Sequence, residues 1–491
     1  MDGRCGKDVA RAALGRRGLE LVSGMLPSTY RSFIGQRSRR PLVVQGVVPS
    51  WLSGVLYRNG PGRFEGPAWE ARHAFDGLAL LQRFAIHGGQ VQWSARFLDS
   101  PLAAQVTQGR RERFRGFGQA ASRTWFDIVR DVVAPRHADN ANVSIIHQDG
   151  RLLALTETPY GIEVDAQTLA TRGRLAYGDE RSDMEAQTTT AHPHHDAHSD
   201  ALVNLSTCFK GRERFYRLWT ARAGLRREFA RLPVRRPAYL HSFGLSRAHA
   251  VVVEFPLLLD PIRLLLAGGS YHSAFDWAPA TGTRLRVVER ATGRIAADCT
   301  IDACFAFHHV HAWDEDGTVV VDLLTYPDAG IIDAFYLDRL AGPHAIRPAA
   351  RYTRLRIDPA RGRVTQEQLV AGTMEFASVA PARGEAPRHA FAVGSSDATL
   401  VGGYDQLWKI DLRARRTTTW QEPGGICGEP VFVPRPGGRA SDDGLVLALC
   451  HMPRGRRDFL VMLDAQRFQE CARAILPEHV PYGLHGCFVS S

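Results

Sequence analysis

Four histidines that are far apart in the chain stand in apolar segments, where an imidazole needs a partner. His308 follows Phe305 and Phe307 in a run that ends at Trp313. A buried polar group without a hydrogen bond costs about 1–3 kcal/mol, so such a histidine is either hydrogen-bonded in the core or bound to a metal. The other three are His192, His241 and His485, in Thr190-Ala-His-Pro-His194, Tyr239-Leu-His-Ser-Phe243 and Pro481-Tyr-Gly-Leu-His-Gly486. We expect the four to meet on one metal ion.

The ligand type narrows the choice of metal without settling it. Neutral imidazole binds iron, copper, zinc and nickel. Four ligands would close a tetrahedral zinc site. Octahedral Fe(II) would instead keep two positions open, as chemistry on dioxygen requires.

Three glutamates, Glu157, Glu375 and Glu429, stand in apolar strand segments where a solvated charge is not expected. Taken singly, each is explained by a charge on an edge strand. A histidine that binds a metal, however, normally donates its other ring N–H to a carboxylate or a carbonyl, which fixes its tautomer. Three carboxylates beside four such histidines indicate a layer of carboxylates behind the ligands.

The elements that would position these residues are short strands joined by glycine-containing turns. One hairpin recurs, in which a strand ends at an acidic residue: Asp165, Glu289, Asp358, Asp411 and Asp464. The gaps are 124, 69, 53 and 53 residues, so one copy is degenerate within the first gap. Such turns occur in any β protein, but a regular hairpin repeat favours propeller blades. We expect an all-β fold, a seven-bladed β-propeller with a loop and helical cap over an axial metal site.

The composition fits an ordinary globular protein, with 44% hydrophobic and 23% charged residues. The net charge of +10 comes from scattered arginines, and no basic stripe carries stacking aromatics, so no nucleic acid partner is expected. Eight cysteines without a Cys-x-x-Cys pair fit a reducing compartment. No apolar run is long enough to span a membrane. We expect a cytoplasmic protein with an N-terminal leader or cap segment over 1–40 and a single β-propeller catalytic domain over 41–491.

From about Leu42 to its end, the chain resembles the carotenoid cleavage oxygenases. Tyr57-Arg-Asn-Gly-Pro-Gly62 and His73-Ala-Phe-Asp-Gly77 are similar to the family's N-terminal signatures, and the four histidine segments match its ligand motifs in order. The resemblance implies a seven-bladed propeller with a non-haem iron as the catalytic centre. It assigns the Fe(II) ligands to His192, His241, His308 and His485, and it places Glu157, Glu375 and Glu429 behind His241, His308 and His485 respectively.

Two of the ligand motifs leave alternatives open. At the third, the family usually has Asn where this chain has His311, and either His308 or His309 could face the axis; the Ala312-Trp313 pair that follows favours His308. At the first, three further histidines crowd the ligand and are predicted to form a polar loop, with adventitious metal binding as the alternative. They are His194, His195 and His198.

The resemblance implies that dioxygen splits one conjugated double bond of a carotenoid or apocarotenoid into aldehydes, with retinal-type central cleavage favoured. Asp139-Asn-Ala-Asn-Val143 and Trp420-Gln-Glu-Pro423 are more similar to the animal-type branch than to the plant or stilbene-cleaving branches. That branch also contains a retinyl-ester isomerohydrolase, whose loop cysteine is missing from Leu98-Asp-Ser-Pro101. The alternatives are cleavage of another alkene, such as an eccentric apocarotenoid bond or a stilbenoid, and a non-catalytic propeller scaffold.

Carotenoids hardly dissolve in water, so the resemblance also implies access from a membrane surface and peripheral association, with no obligate protein partner. The substrate tunnel would be lined by Phe64, Thr156, Tyr239 and Tyr326, for which core packing is the alternative. The apolar segment 255–267 lies where the family places its membrane-facing patch, with arginines nearby that suit anionic headgroups. The patch would consist of Leu257, Leu258, Ile262, Leu264 and Leu265; the alternative is a buried helix.

Overall fold

Most of the strands belong to seven antiparallel sheets. The strands are short because short apolar runs alternate with glycine- and aspartate-containing turns. This computed structural model describes residues 28–110, 113–121, 138–178, 186–209, 213–266, 269–340, 350–379, 386–396 and 403–491. Within them, each of the seven sheets has four to six strands, and the innermost strands contact one another at most of the junctions between successive blades. The chain is a seven-bladed β-propeller, so the predicted fold class is confirmed.

The two ends of the chain close the ring between blades 1 and 7. From the axis outward, blade 1 consists of β36 (Gly486–Ser490), β3 (Gly54–Arg63), β6 (Leu78–His87), β7 (Gln90–Phe97) and β1 (Arg37–Pro41). Blade 7 consists of β31 (Ile426–Cys427) and β32 (Val431–Pro434), which both pair with β33 (Gly444–His451), then β34 (Phe459–Asp464), β35 (Gln469–Ile475) and β2 (Val43–Gly46). The last strand is therefore innermost in blade 1, and two early strands are outermost in blades 1 and 7.

Blades 2 to 6 follow one another along the chain, each from its inner to its outer strand. Blade 2 has β8 (Ser144–Gln148), β9 (Arg151–Leu155), β10 (Ile162–Val164) and β11 (Thr171–Arg174). Blade 3 has β12 (Thr188–Thr189), β13 (His194–Asp196), β14 (Ala201–Cys208), β15 (Phe215–Arg222) and β16 (Leu225–Pro233). Blade 4 has β17 (Gly244–Leu245), β18 (His249–Glu254), β21 (Thr283–Glu289) and β22 (Ile295–Ile301).

Blades 5 and 6 complete the series. Blade 5 has β23 (His309–Glu315), β24 (Thr318–Thr325), β25 (Arg351–Asp358) and β26 (Arg363–Ala371). Blade 6 has β27 (Met374–Val379), β28 (His389–Gly394), β29 (Gln406–Asp411) and β30 (Arg416–Gln421). Two further hairpins lie outside the blades: β4 (Glu65–Gly66) with β5 (Trp69–Glu70), and β19 (Leu257–Leu259) with β20 (Phe275–Trp277). The core consists of apolar clusters between neighbouring blades.

The repeated hairpin is the turn between the third and fourth strands of blades 2, 4, 5, 6 and 7. In blade 6, Asp411 Oδ1 accepts hydrogen bonds from the backbone N–H groups of Arg413 and Ala414 at 3.0 and 2.8 Å. In each turn the fifth residue has positive φ: Leu169, Gly293, Gly362, Arg415 and Phe468. Blade 3 instead has a two-residue turn, in which Ala223 and Gly224 have φ of 49° and 78°. This shorter hairpin explains the degenerate copy in the first gap.

Short helices and 3-10 turns lie in the connections between strands, and their role as a cap over the axis stays a prediction. The helices are α1 (Pro101–Thr107), α2 (Pro261–Leu266), α3 (Gly330–Asp333) and α4 (Leu337–Leu340), with 3-10 turns at Ser28–Tyr30, Ala74–Asp76, His272–Ala274 and Pro279–Thr281. His73, which is fully buried, joins two of these segments, because its Nε2 donates to the Ile332 carbonyl at 2.9 Å and its Nδ1 accepts from the Phe75 N–H. None of the described helices has the length and apolar character needed to cross a bilayer.

The domain boundaries stay a prediction. Residues 1–27 of the expected leader or cap segment over 1–40 lie outside the described residues. Strand β1 already pairs with β7 of blade 1, so blade 1 includes residues on the N-terminal side of the expected start of the 41–491 domain.

Candidate metal centre

Every blade contributes one of the seven histidines and glutamates singled out in the sequence. His241, His308 and His485 directly precede or stand close to the inner strands of blades 4, 5 and 1, and His192 lies between the two short inner strands of blade 3. The glutamates belong to the remaining blades: Glu157 follows β9 in blade 2, Glu375 lies in β27 of blade 6, and Glu429 lies between β31 and β32 of blade 7. Residues remote in sequence therefore meet at the axis.

The four imidazoles face a common centre. One ring nitrogen from each lies within 4.8 Å of the others. The Nε2 atoms of His192 and His241 are 3.0 Å apart, and those of His308 and His485 are 3.2 Å apart. The structure thus brings together the four histidines that the sequence singled out.

Three of the four rings are oriented by a carboxylate, and the pairing is the expected one. His241 Nδ1 lies 2.6 Å from Glu157, His308 Nδ1 lies 2.6 Å from Glu375, and His485 Nδ1 lies 2.7 Å from Glu429. A ring that donates its Nδ1 proton presents the lone pair of Nε2 to the centre. Within the described residues, His192 has no such carboxylate.

Burial favours the neutral form of His192, His241 and His485. It lowers the pKa of His192 well below its ordinary value, and His485, His241 and His308 nearby lower it further. Burial also lowers the pKa of His485 to about 4, against the opposing effect of Glu429. For Glu429, burial alone would raise the pKa, but His485, Arg58 and the Gly486 N–H together hold it below the ordinary value. His192 and His485 are therefore neutral, and Glu429 behind His485 is anionic.

This donor set fits a transition metal ion. His308 and His485 both donate Nδ1–H to a glutamate, so neither Nε2 has a proton to share across the 3.2 Å between them. Two lone pairs at that distance need a cation between them. Four neutral imidazoles suit first-row metals such as iron, copper, zinc and nickel.

A third layer of side chains holds the glutamates, and the sequence reasoning missed its charged member. The hydroxyls of Tyr239 and Tyr326 donate to Glu157 and Glu375, both at 2.6 Å. Arg58, which is only 1% exposed, donates to Glu429 at 2.5 Å. Arg58 belongs to the Tyr57-Arg-Asn-Gly-Pro-Gly62 motif, and this motif is the signal that could have found it.

The remaining histidines of the two ambiguous motifs lie outside the cluster. His309 Nδ1 lies 2.8 Å from the Ser242 hydroxyl, and His311 stacks on Trp313. His194 Nε2 donates to the Phe243 carbonyl at 2.8 Å. His195 lies 3.0 Å from Asp200, and His198 donates its backbone N–H to Asp196. Of the third motif, only His308 joins the four.

A largely apolar cavity of about 660 Å³, solvent-open parts included, adjoins His241, His308 and His485. Its lining is dominated by aromatic rings. They are Phe75, Phe117, Tyr239, Phe307, Phe335, Phe376 and Tyr404. A second apolar cavity of about 650 Å³ shares Phe75, Phe335, Phe376, Tyr404 and Leu484 with the first. The Phe75 and Phe335 rings stack with centroids 5.3 Å apart, so they form part of the wall between the two.

The four residues expected in a substrate tunnel divide into two pairs. Thr156 and Tyr239 line the cavity beside the histidines. Phe64 packs against Tyr30 in a buried cluster, and the Tyr326 hydroxyl is turned to Glu375. Neither Phe64 nor Tyr326 lines either of these two cavities. Their role toward a substrate stays a prediction.

The expected membrane patch needs a correction at Leu257. Strand β19 pairs with β20, and this pairing turns Leu257 into the core, where it is 3% exposed. Leu258 is half-buried, as is Leu264 in α2. Ile262 is 65% exposed, and the Leu265 side chain lies outside the described residues. Ile262 therefore remains the patch residue that is clearly exposed.

The comparisons with known proteins agree with this site. The family model described as "Retinal pigment epithelial membrane protein" matches residues 34–490. Carotenoid cleavage dioxygenase 8 of Arabidopsis thaliana is 31% identical over 91% of this chain and 83% of its own length. Beta,beta-carotene 15,15'-dioxygenase of Mus musculus is 27% identical over 91% of this chain and 88% of its own. Similar relatives thus come from plants as well as from the animal-type branch.

The solved structures show the same architecture. Cobalt-substituted Synechocystis ACO, an apocarotenoid oxygenase, superposes with a TM-score of 0.84 at 26% identity, covering 96% of this chain and 99% of its own. The family model, the relatives and the solved structures thus point to the same family. The chain therefore belongs to the retinal pigment epithelial membrane protein family, which is the family of the carotenoid cleavage dioxygenases.

Proposed function

We propose that this chain is a non-haem Fe(II) dioxygenase that cleaves a conjugated double bond of a carotenoid or apocarotenoid into aldehydes. The observation that carries the proposal is the convergence of four imidazoles, three of them oriented by glutamates, beside a cavity lined by aromatic rings. The names of the similar plant, insect and mammalian proteins support this substrate class. The alternative, a non-catalytic scaffold, does not explain why these histidines and glutamates are arranged in this way.

In this proposal His192, His241, His308 and His485 hold the iron. The chemistry that ferrous iron supplies is the binding and activation of dioxygen beside a polyene. Glu157, Glu375 and Glu429 keep each Nδ1 protonated, so that the Nε2 lone pairs point at the metal.

The cavity decides which double bond reaches the centre. Phe75, Phe117 and Phe335 present apolar faces and edges to a flat, extended substrate, and aromatic faces also stabilise electron-poor carbon. Thr156 and Tyr239 lie on the same wall near His241. We favour central, retinal-type cleavage, in which the second cavity accepts the end of the polyene that is not next to the metal.

Substrate of this kind is drawn from a lipid phase. Helix α2 carries exposed Ile262 and half-buried Leu264, and Arg263 beside them pairs with Asp276. We propose peripheral association through this helix, without an obligate protein partner. The cytoplasmic location remains a prediction, since the similar plant and mammalian proteins are named as chloroplastic and mitochondrial.

The test is a product assay with iron-loaded protein under oxygen. β-Carotene, an apocarotenal and resveratrol are offered separately, and the aldehydes are identified by chromatography and mass spectrometry. The proposal expects retinal from β-carotene. Two products of unequal length from β-carotene would indicate eccentric cleavage. Products from resveratrol alone would indicate that the substrate is a stilbenoid. No product from any substrate at full iron loading would contradict the proposal.

A further inference from the structure

The three carboxylates behind the histidines are charged, because every contact that the structure gives their oxygens comes from a donor. Glu429 accepts from the His485 ring at 2.7 Å, from Arg58 at 2.5 Å and from the Gly486 N–H at 2.8 Å. The other two each accept from an imidazole and from a phenol hydroxyl, and Glu375 also accepts from the Phe376 N–H at 3.1 Å. Hydrogen bonds donated to a carboxylate favour its ionised form.

Only one of the three carboxylates has a permanent cation beside it. Within the described residues, Glu429 forms an ion pair with Arg58, whose side chain is 2% exposed. Behind the histidines, the other two carboxylates have uncharged donors: the Tyr239 phenol for Glu157, and the Tyr326 phenol and the Phe376 N–H for Glu375. The third layer is thus asymmetric, with two neutral phenols and one guanidinium.

The backbone fixes Arg58 at this place. Strand β3 pairs with β36 so that Arg58 lies opposite Gly486, and its Nη2 donates to the Leu484 carbonyl at 3.2 Å. A Cβ on Gly486 would lie 2.6 Å from the Arg58 Cδ, so glycine is required for this close approach. Strand pairing and this close approach therefore hold Arg58 against the segment that carries His485.

The total charge of the site depends on this arginine. Ligating imidazoles are neutral, so three carboxylates and one guanidinium leave two negative charges around the metal position. A divalent ion makes the buried site neutral, whereas a trivalent ion leaves one positive charge. Because uncompensated buried charge is costly, the neutral combination is favoured.

We propose that Arg58 is a charge-balancing residue that makes this site select the divalent over the trivalent state of its metal. The inference rests on the proposed function only in that the four histidines hold a metal ion. The reaction concerned is a one-electron oxidation, in which the bound divalent ion loses one electron to an acceptor and becomes trivalent. With Arg58 in place, that loss creates net charge in a buried site and is opposed.

The test measures metal state and not turnover. The full-length chain is loaded anaerobically with iron and titrated with one-electron organic mediators, while the ferric signal is followed by electron paramagnetic resonance. A redox-free version compares the affinities for Ga³⁺ and Zn²⁺. The variants are Arg58→Met, which removes the charge, Arg58→Lys, which keeps it, and Tyr326→Phe, which removes a neutral donor from Glu375.

In R58M the ratio of the affinity for the trivalent ion to the affinity for the divalent ion should rise by about tenfold or more. The reason is that one positive charge is lost from a low-dielectric site. R58K and Y326F should stay near the wild type in this ratio. The double variant R58M/E429Q removes one charge of each sign and should return the ratio toward wild type, although it loses more contacts than R58M. If the role of Arg58 is purely structural, the affinity ratio of the double variant should differ from wild type more than that of R58M does.

A wild-type ratio in R58M, or no recovery in the double variant, would overturn the inference. Should R58M fail to fold, Glu429→Gln alone decides, because it adds one positive charge to the sum and must lower the ratio by about tenfold or more; an unchanged ratio there contradicts the proposal. A chain that binds metal with the expected preference but cleaves no polyene would refute the proposed function and leave this inference standing.

Discussion

The Nε2 atoms of His308 and His485 lie 3.2 Å apart although each ring gives its Nδ1 proton to a glutamate. Two lone pairs that face each other repel unless a cation lies between them. We therefore expect removal of the metal to destabilise the fold, because the glutamates hold the ring protons away from the centre. Metal binding and folding should be coupled at this pair.

Chelation should destabilise the protein. Adding Fe(II), or Co(II) under anaerobic conditions, to the chelated protein should raise the free energy of unfolding by about 3 kcal/mol at a free metal concentration a hundred times the Kd. Denaturant unfolding with and without metal measures this. A free energy of unfolding that does not respond to metal would show that the four imidazoles are satisfied without it.

Replacing Glu375 by Gln should weaken metal retention by about 10–100-fold. The amide oxygen can still accept from His308, but it no longer carries the charge that makes the imidazole a stronger donor. Chelator competition at pH 7 measures the change. Glu367→Gln on the surface of blade 5 is the matched control and should leave retention unchanged; equal losses in both variants would remove the special role of Glu375.

Stability should fall with acid through His73. Burial lowers the pKa of His73 to about 3, so the folded protein binds its proton less readily than the unfolded chain does. Its destabilisation therefore begins as pH falls below about 6.5 and grows by about 1.4 kcal/mol per pH unit until pH nears 3. Denaturant unfolding at pH 6 and at pH 5 measures this. The difference in free energy of unfolding between wild type and His73→Asn should be smaller at pH 5 than at pH 6. A gap that is independent of pH contradicts the assignment.

Opening the wall between the two cavities should change substrate choice. Phe335→Ala removes one ring of the stacked pair that borders both, which lets long polyenes pass further beyond the metal. The ratio of kcat/KM for a C40 carotenoid to that for a shorter apocarotenal should change, together with the bond that is cut. Phe488→Ala in blade 1, which packs elsewhere, should lower stability without changing the ratio or the products.

Charging Ile262 should abolish lipid binding without unfolding the protein. The side chain is 65% exposed, so Ile262→Asp costs little in the fold but opposes insertion into a bilayer. Flotation with anionic liposomes measures binding. Ile295→Asp in β22, at a site that is 44% exposed, is the control and should float like wild type. Retained flotation of I262D would place the membrane contact elsewhere.

The blade number could be predicted because an acidic residue marks the turn between the third and fourth strands of five blades. The residue with positive φ could not have marked it, since it is leucine, arginine and phenylalanine in three of the five turns. Blade 3 escaped the pattern because its strands join through a two-residue turn at Ala223 and Gly224. A tight turn needs no side-chain cap, so no acidic residue is required there.

The ligands and their carboxylates could be predicted because an ionisable group in an apolar run is costly to bury unless it binds a partner. Arg58 was missed because it pairs with the carboxylate of Glu429, which is 371 positions away in the chain. Only the closed ring of blades brings the two residues together. Leu257 was assigned to the surface because apolar sequence alone does not distinguish a core strand from an exposed patch; its pairing partner, β20, decides this.

The central claim, that four axial histidines hold one iron, is tested most directly by the metal content of the purified chain beside that of His241→Ala. After anaerobic loading with Fe(II) and removal of free metal, wild type should retain about one iron per chain, and the variant should retain almost none while its β-sheet circular dichroism is unchanged. Equal iron in both proteins, or no iron in wild type, would contradict the account.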